Sequence, residues 1–152
     1  MALYRHILLA VDLTTDSEFI GRRARALAAA FDAQLNIIHV IEPLPTVAPI
    51  PPEPVEPDVV TEMSEMITSA QDRIGALARE LGVPENRSRV VVGSIKTEIV
   101  AAATEHGVDL IVIGYHEHHG LALLIKPTED VVVQRAPCDV LAVHLTESER
   151  GR

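Results

Sequence analysis

His6-Ile-Leu-Leu-Ala-Val-Asp12 decides the fold. The apolar run from Ile7 to Val11 lacks the polar alternation of a half-exposed strand and stops at an acid, the pattern of a parallel strand buried on both faces. A second run of the same character, Asp109-Leu-Ile-Val-Ile-Gly114, empties into Tyr115-His-Glu-His-His-Gly120. In open α/β sheets ligands bind outside the carboxyl ends of such strands, so the residues after Asp12 and after Gly114 carry the functional question.

Between these runs strands and helices alternate. Thr14-Thr-Asp-Ser17-Glu18 is a cluster of N-cap residues, and Ile20, Ala24, Leu27, Ala28 and Phe31 follow at helical spacing, which predicts a first helix over about 16–31. Leu35 to Ile41 is a β-rich run. Met63, Met66, Ile67, Ala70, Ile74, Leu77, Ala78 and Leu81 form the apolar stripe of a longer helix that Gly82 ends. Arg89 to Gly93 reads as the third strand, Thr97 to His106 as a helix stopped by Gly107, and Asp109 to Gly114 as the fourth strand. A short helix near Thr128 to Gln134 precedes a last strand, Asp139 to Leu145. Five strands with intervening helices predict an α/β open parallel sheet with right-handed crossovers.

The stretch from Glu42 to Asp58 departs from this rhythm. It holds seven prolines, and no Lys or Arg occurs anywhere between Arg25 and Arg73. Prolines fix φ and remove amide donors, so residues 43–58 are expected to form an extended acidic crossover loop; docking of PxxP type is the alternative use of such a segment.

With 152 residues, 47% of them apolar, the chain is expected to be one domain over 1–146, with a charged tail at 147–152. A chain of this size buries roughly 68–70% of its unfolded surface, enough for one core. Thirteen basic against 22 acidic residues give a net charge of −9, which argues against nucleic acid and anionic membrane as partners. Cys138 is the only cysteine, so neither an intrachain disulfide nor a cysteine metal site is available, and beside Pro137 it reads as a small buried hydrophobe. The apolar run at Ile7 is too short for a signal peptide or a membrane span, and a cytoplasmic protein is expected.

Tyr4-Arg-His-Ile-Leu-Leu-Ala-Val-Asp12, Leu35-Asn-Ile-Ile-His-Val40, Val108-Asp-Leu-Ile-Val-Ile-Gly114 and Ala136-Pro-Cys-Asp-Val-Leu-Ala-Val143 together resemble the universal stress protein family over nearly the whole chain. The resemblance implies an open five-stranded parallel sheet of order 3-2-1-4-5 with helices on both faces. It also implies a choice between branches. ATP-binding members carry Gly-x2-Gly-x9-Gly-Ser/Thr after the fourth strand, whose glycines admit backbone amides to the phosphates. Laid on this chain from Gly114, that pattern puts Glu117 and Pro127 at the second and third glycines and Thr128 at the hydroxyl. Counted back from Ala136-Pro137-Cys138, Lys126 and Pro127 take the Gly-Ser pair. Either register breaks the motif: Glu117 brings negative charge towards a triphosphate and Pro127 has no amide to donate.

A remnant of the nucleotide pocket is what the resemblance leaves. It comprises Asp12 towards ribose or adenine, flanked by Val11 and Leu13, the backbone of Val40 at the adenine edge, and Gly114, His116 and Thr128 around the former phosphate loop. For Asp12 the alternative is a strand-ending acid that caps the following turn. No cofactor is required on this reading, with ATP or AMP possible but disfavoured. The cluster His116, Glu117, His118 and His119 offers ligand types for zinc or nickel, but adjacent loop residues rarely converge and no distant ligand completes a set, so no metal is assigned. His6 and His39 are expected to be satisfied at strand ends, and Glu129-Asp130 to open a helix where the dipole favours acids.

In the strand order that the resemblance implies, the last strand lies at a sheet edge, where unpaired backbone groups invite association, and a homodimer is expected. The implied function is a cytoplasmic stress-response binding or regulatory module, not an enzyme, with at most weak adenine-nucleotide binding. The alternative is an ATP- or AMP-binding member acting as a nucleotide-dependent switch or weak hydrolase.

Overall fold

Leu8 faces away from Ile7 and Leu9, yet all three are buried, because the first strand, β1 (His6–Ala10), has a helical layer on each side. The computed structural model describes residues 2–43, 57–116 and 128–145. After β1 come α1 (Ser17–Phe31), β2 (Gln34–Ile41), α2 (Pro57–Leu81), a 3-10 turn (Glu85–Arg87), β3 (Ser88–Val92), α3 (Ile95–Glu105), β4 (Leu110–His116), α4 (Thr128–Arg135) and β5 (Asp139–Leu145). The strands form one sheet of order β3-β2-β1-β4-β5, and each neighbouring pair is parallel. The sheet order is the one the family resemblance implies.

The two-residue alternation of strand side chains divides the core. Ile7, Leu9, Ile37, Ile41, Leu110 and Val112 pack against Ile20, Ala24 and Ala28 of α1 and Ile74, Leu77 and Ala78 of α2. Leu8, Ile38, Val40, Ile111 and Ile113 pack on the opposite face against Ile99, Ala102 and Ala103 of α3 and Val132 of α4. Gly82 and Gly107, the residues that close α2 and follow α3, have φ of +67° and +61°, the left-handed conformation that lets a chain leave a helix at no steric cost to glycine.

Beyond shifts of one or two residues at the ends of β2, β3, α3 and α4, three elements differ from expectation. α2 begins at Pro57, six residues before the apolar stripe, so residues 57 and 58 belong to the helix and not to the crossover loop. Proline suits this first helical position because its fixed φ is helical and its missing amide has no partner there anyway. Residues 44–56 and the tail at 147–152 lie outside the described residues. α1 is not opened by a side-chain cap: Asp16 occupies the N-cap position without a cap bond, and Ser17 donates its hydroxyl to Asp12 instead. β4 does not stop at Gly114 but continues through Tyr115 and His116, which pair with His144 and Leu145 of β5. Partner backbone carries a strand past the end of its apolar run.

Candidate functional site

β1 ends level with Ile38 of β2, and the chain then turns away over Val11, Asp12 and Leu13. Three elements hold this turn. Asp12 Oδ1 accepts from the Thr14 amide at 3.1 Å, the Thr14 hydroxyl at 2.7 Å and the Ser17 hydroxyl at 3.3 Å, so the acid caps the turn. His39 of β2 donates its Nδ1–H to the Val11 carbonyl at 2.8 Å. Arg73 of α2 donates to the Leu13 carbonyl. Leu13 itself has φ +59°, an unusual conformation for a branched residue, which persists where neighbours over-determine it. Here those neighbours are the Arg73 bond and the burial of the Leu13 side chain.

Val40 sits one strand away. The Val11 amide donates to the Ile38 carbonyl at 3.0 Å, and the alternation of a parallel ladder turns the amide and carbonyl of Val40 the same way, beyond the last paired residue of β1. Its side chain is buried on the α3 face, so only its backbone faces this gap. On the α2 face a crevice of about 540 Å³ opens, lined by Leu13, His39, Ile41, Glu62, Glu65, Met66, Ser69, Ala70 and Arg73. The volume lies within the range of small-molecule sites.

Val11, Asp12, Leu13 and Val40 thus come together at the carboxyl ends of β1 and β2. Gly114 lies two residues past the Leu9–Val112 pair, level with Val11, but within β4 and not in a loop. A Cβ built on it would meet Ile20 Cδ1 at 2.5 Å and Leu145 Cδ1 at 3.2 Å. Close approach of α1 to the sheet therefore accounts for this glycine without a ligand. His116 is the last residue of β4 and Thr128 the first of α4. Glu117, His118, His119, Lys126 and Pro127 lie outside the described residues. Among the described residues no three His, Cys, Asp or Glu side chains gather as a metal site would require, and no helix is long and apolar enough to cross a membrane.

His39 is satisfied by the Val11 carbonyl, as expected of a strand histidine. His6 is not: its Nε2 is buried with no hydrogen-bond partner among the described residues, although its amide donates to Asp109 Oδ1 at 3.0 Å. Cys138 is half-buried and not the fully buried hydrophobe that the sequence suggests; this partial burial raises its thiol pKa, with Asp139 and Asp109 adding to the effect, so the thiolate is disfavoured. The crevice residues from α2, namely Glu62, Glu65, Ser69 and Arg73, escaped sequence reasoning. They are spaced as one helical face, but nothing in the sequence tells which strand ends that face covers.

The profile of the Universal stress protein family matches residues 3–144. Universal stress protein A homolog 1 of Coxiella burnetii is 34% identical over 149 residues, covering 95% of this chain and 99% of its own. Homolog 2 of the same organism is 35% identical over 146 residues, with 95% and 98% covered. Among solved structures, a universal stress protein in complex with cAMP superposes with a TM-score of 0.62 at 29% identity, covering 93% of this chain and 97% of that one. The universal stress protein UspA from Lactobacillus plantarum, with a TM-score of 0.75 at 21% identity and 92% and 97% covered, shares the fold.

Proposed function

We infer that this chain, which belongs to the universal stress protein family, works as a non-catalytic cytoplasmic binding module whose crevice takes an adenine ligand weakly and without a triphosphate cradle. The observation that carries this is the split state of the site. An adenine half is supported by the crevice that Leu13, His39 and Ile41 wall and by the Val40 amide and carbonyl, which offer one donor and one acceptor, the complement of adenine's Watson–Crick edge. Its phosphate half is degenerate in sequence, with Glu117 and Pro127 at two glycine positions, and Gly114 serves helix packing. That a relative of 29% identity is solved with cAMP, a nucleotide with one phosphate, supports an occupant smaller than ATP.

The second part of the proposal is a homodimer. β5 is an edge strand, and Leu141, Tyr115 and Val133 on β5, β4 and α4 are exposed, so a second copy would cover apolar surface and unpaired backbone together. Light scattering on the purified chain at several concentrations tests this, and a monomer throughout overturns it.

For the ligand, freshly purified protein is denatured, the released small molecules are analysed, and the protein is titrated calorimetrically with AMP and with ATP, each with and without Mg²⁺. Weak binding of AMP with no retained ATP is expected. Stoichiometric retained ATP, or tight Mg²⁺-dependent binding, would mean that the altered loop still cradles phosphate and that a nucleotide switch is the correct function.

A further inference from the structure

The geometry points to a crevice that selects its adenine ligand by charge, taking the uncharged nucleoside in preference to any nucleotide. This rests on the adenine reading given above and goes beyond it by naming the ligand class. The polar lining consists of His39, Glu62, Glu65, Ser69 and Arg73. A carbonyl can only accept, so the bond from His39 to the Val11 carbonyl puts the proton on Nδ1, and in the neutral ring Nε2 is left as a lone-pair acceptor. Glu62 and Glu65 are acceptors as carboxylates. Among the described residues Arg73 is the one Lys or Arg of this lining, and it already spends a donor on the Leu13 carbonyl. The two carboxylates of this lining stand against the one guanidinium of Arg73.

Such a lining matches a ligand rich in donors and poor in charge. A nucleoside offers the ribose hydroxyls and the exocyclic amine as donors, and its flat base suits the apolar walls of Leu13, Ile41, Met66 and Ala70. Each phosphate charge on the ligand would be added next to a lining whose net charge is already negative, in a shallow, water-exposed setting. At about 7 Å in water one such unit of repulsion weakens binding about threefold. The expected order is therefore adenosine, cAMP, AMP, ATP, from tightest to weakest, with AMP about tenfold weaker than adenosine at low salt and the gap shrinking as salt screens the glutamates.

The test is a calorimetric titration of the full chain with these four ligands, without divalent metal, at low and at high salt. The double variant Glu62→Gln/Glu65→Gln leaves Arg73 as the charge of the lining and should bring AMP level with adenosine or past it; both side chains are exposed on α2, so the fold is retained. His39→Asn keeps a donor where Nδ1 was and removes the Nε2 acceptor, and should weaken all four ligands by about fivefold without changing their order. Should His39→Asn not fold, the ligand series on the parent chain and on the glutamine variant still decides. AMP or ATP binding more tightly than adenosine to the parent chain at low salt overturns charge selection while leaving the adenine site in place. A gap between adenosine and AMP unmoved by the glutamine substitutions overturns the role of the glutamates. No heat with any of the four removes the adenine site itself, and the selection with it.

Discussion

Gly114→Ala separates the two uses that a glycine at the end of β4 can have. The new methyl would stand 2.5 Å from Ile20 Cδ1 and 3.2 Å from Leu145 Cδ1. Ile20 is 3% exposed and Leu145 4%, so neither can swing into solvent. Overpacking of a core costs about 1–3 kcal/mol, partly offset by the roughly 0.5–1 kcal/mol that alanine gains over glycine within a strand. A net loss of about 1–2 kcal/mol is expected, which lowers the midpoint of a domain this size by about 2–4 °C per kcal/mol. Urea unfolding followed by far-UV circular dichroism is the assay, since the chain contains no tryptophan. Ile20→Val, which deletes the clashing Cδ1, should cost about 0.5–1.5 kcal/mol alone. Combined with Gly114→Ala it should cost less than the sum of the two, by about 1 kcal/mol. A Gly114→Ala protein as stable as the parent, or strictly additive costs, would refute the packing account. So would a stable variant that had lost adenine binding, because Gly114 would then be serving the ligand.

Other substitutions read out the turn, the helix ends and the thiol. Asp12→Ala removes an acceptor used by three donors and should destabilise by about 1–2 kcal/mol, with Asp12→Asn losing about half as much; the same urea titration checks both. Asp32, the exposed residue after α1, has φ +53°, so Asp32→Gly should raise stability by about 0.5 kcal/mol, whereas Gly107→Ala should lower it by about 1 kcal/mol. Alkylation of Cys138 should run slower than that of a free thiol at neutral pH, with a pH midpoint above the usual thiol range because burial raises its pKa. Denaturant should restore the ordinary rate, and a fast-reacting folded thiol would contradict the raised pKa.

Where burial is continuous, the sequence was readable. β1 and the first part of β4 are apolar on both faces because helices cover both, and Gly82 and Gly107 mark helix ends because few other residues adopt their φ cheaply. Legibility failed where partners supply what the local pattern lacks. Residues 57–62 of α2 carry no core stripe and so left no helical period. Tyr115 and His116 are polar enough to resemble a loop, yet β5 pairs with them. At the site, the turn after Asp12 and the strand end at Val40 could be foreseen, but not the packing of α2 that brings Glu62, Glu65 and Arg73 to it. That placement depends on how α2 lies on the sheet, which no periodicity encodes.

The sheet order also bears on how the chain is made. β1 pairs with β2 soon after the turn at Asp32, but its other neighbour pairs Leu8 with Ile111, about a hundred residues later. At a synthesis rate of roughly 5–20 residues per second, the open side of β1 waits roughly 5–20 seconds for β4 to be made. During that interval Ile7, Leu8 and Leu9 stand at the rim of a half-built sheet, with backbone groups free to pair with a neighbouring nascent chain. The centre of the finished fold is thus the exposed edge of the growing one, and slow or stalled translation of the segment between β2 and β4 would turn the strand that organises the core into the segment most prone to aggregate.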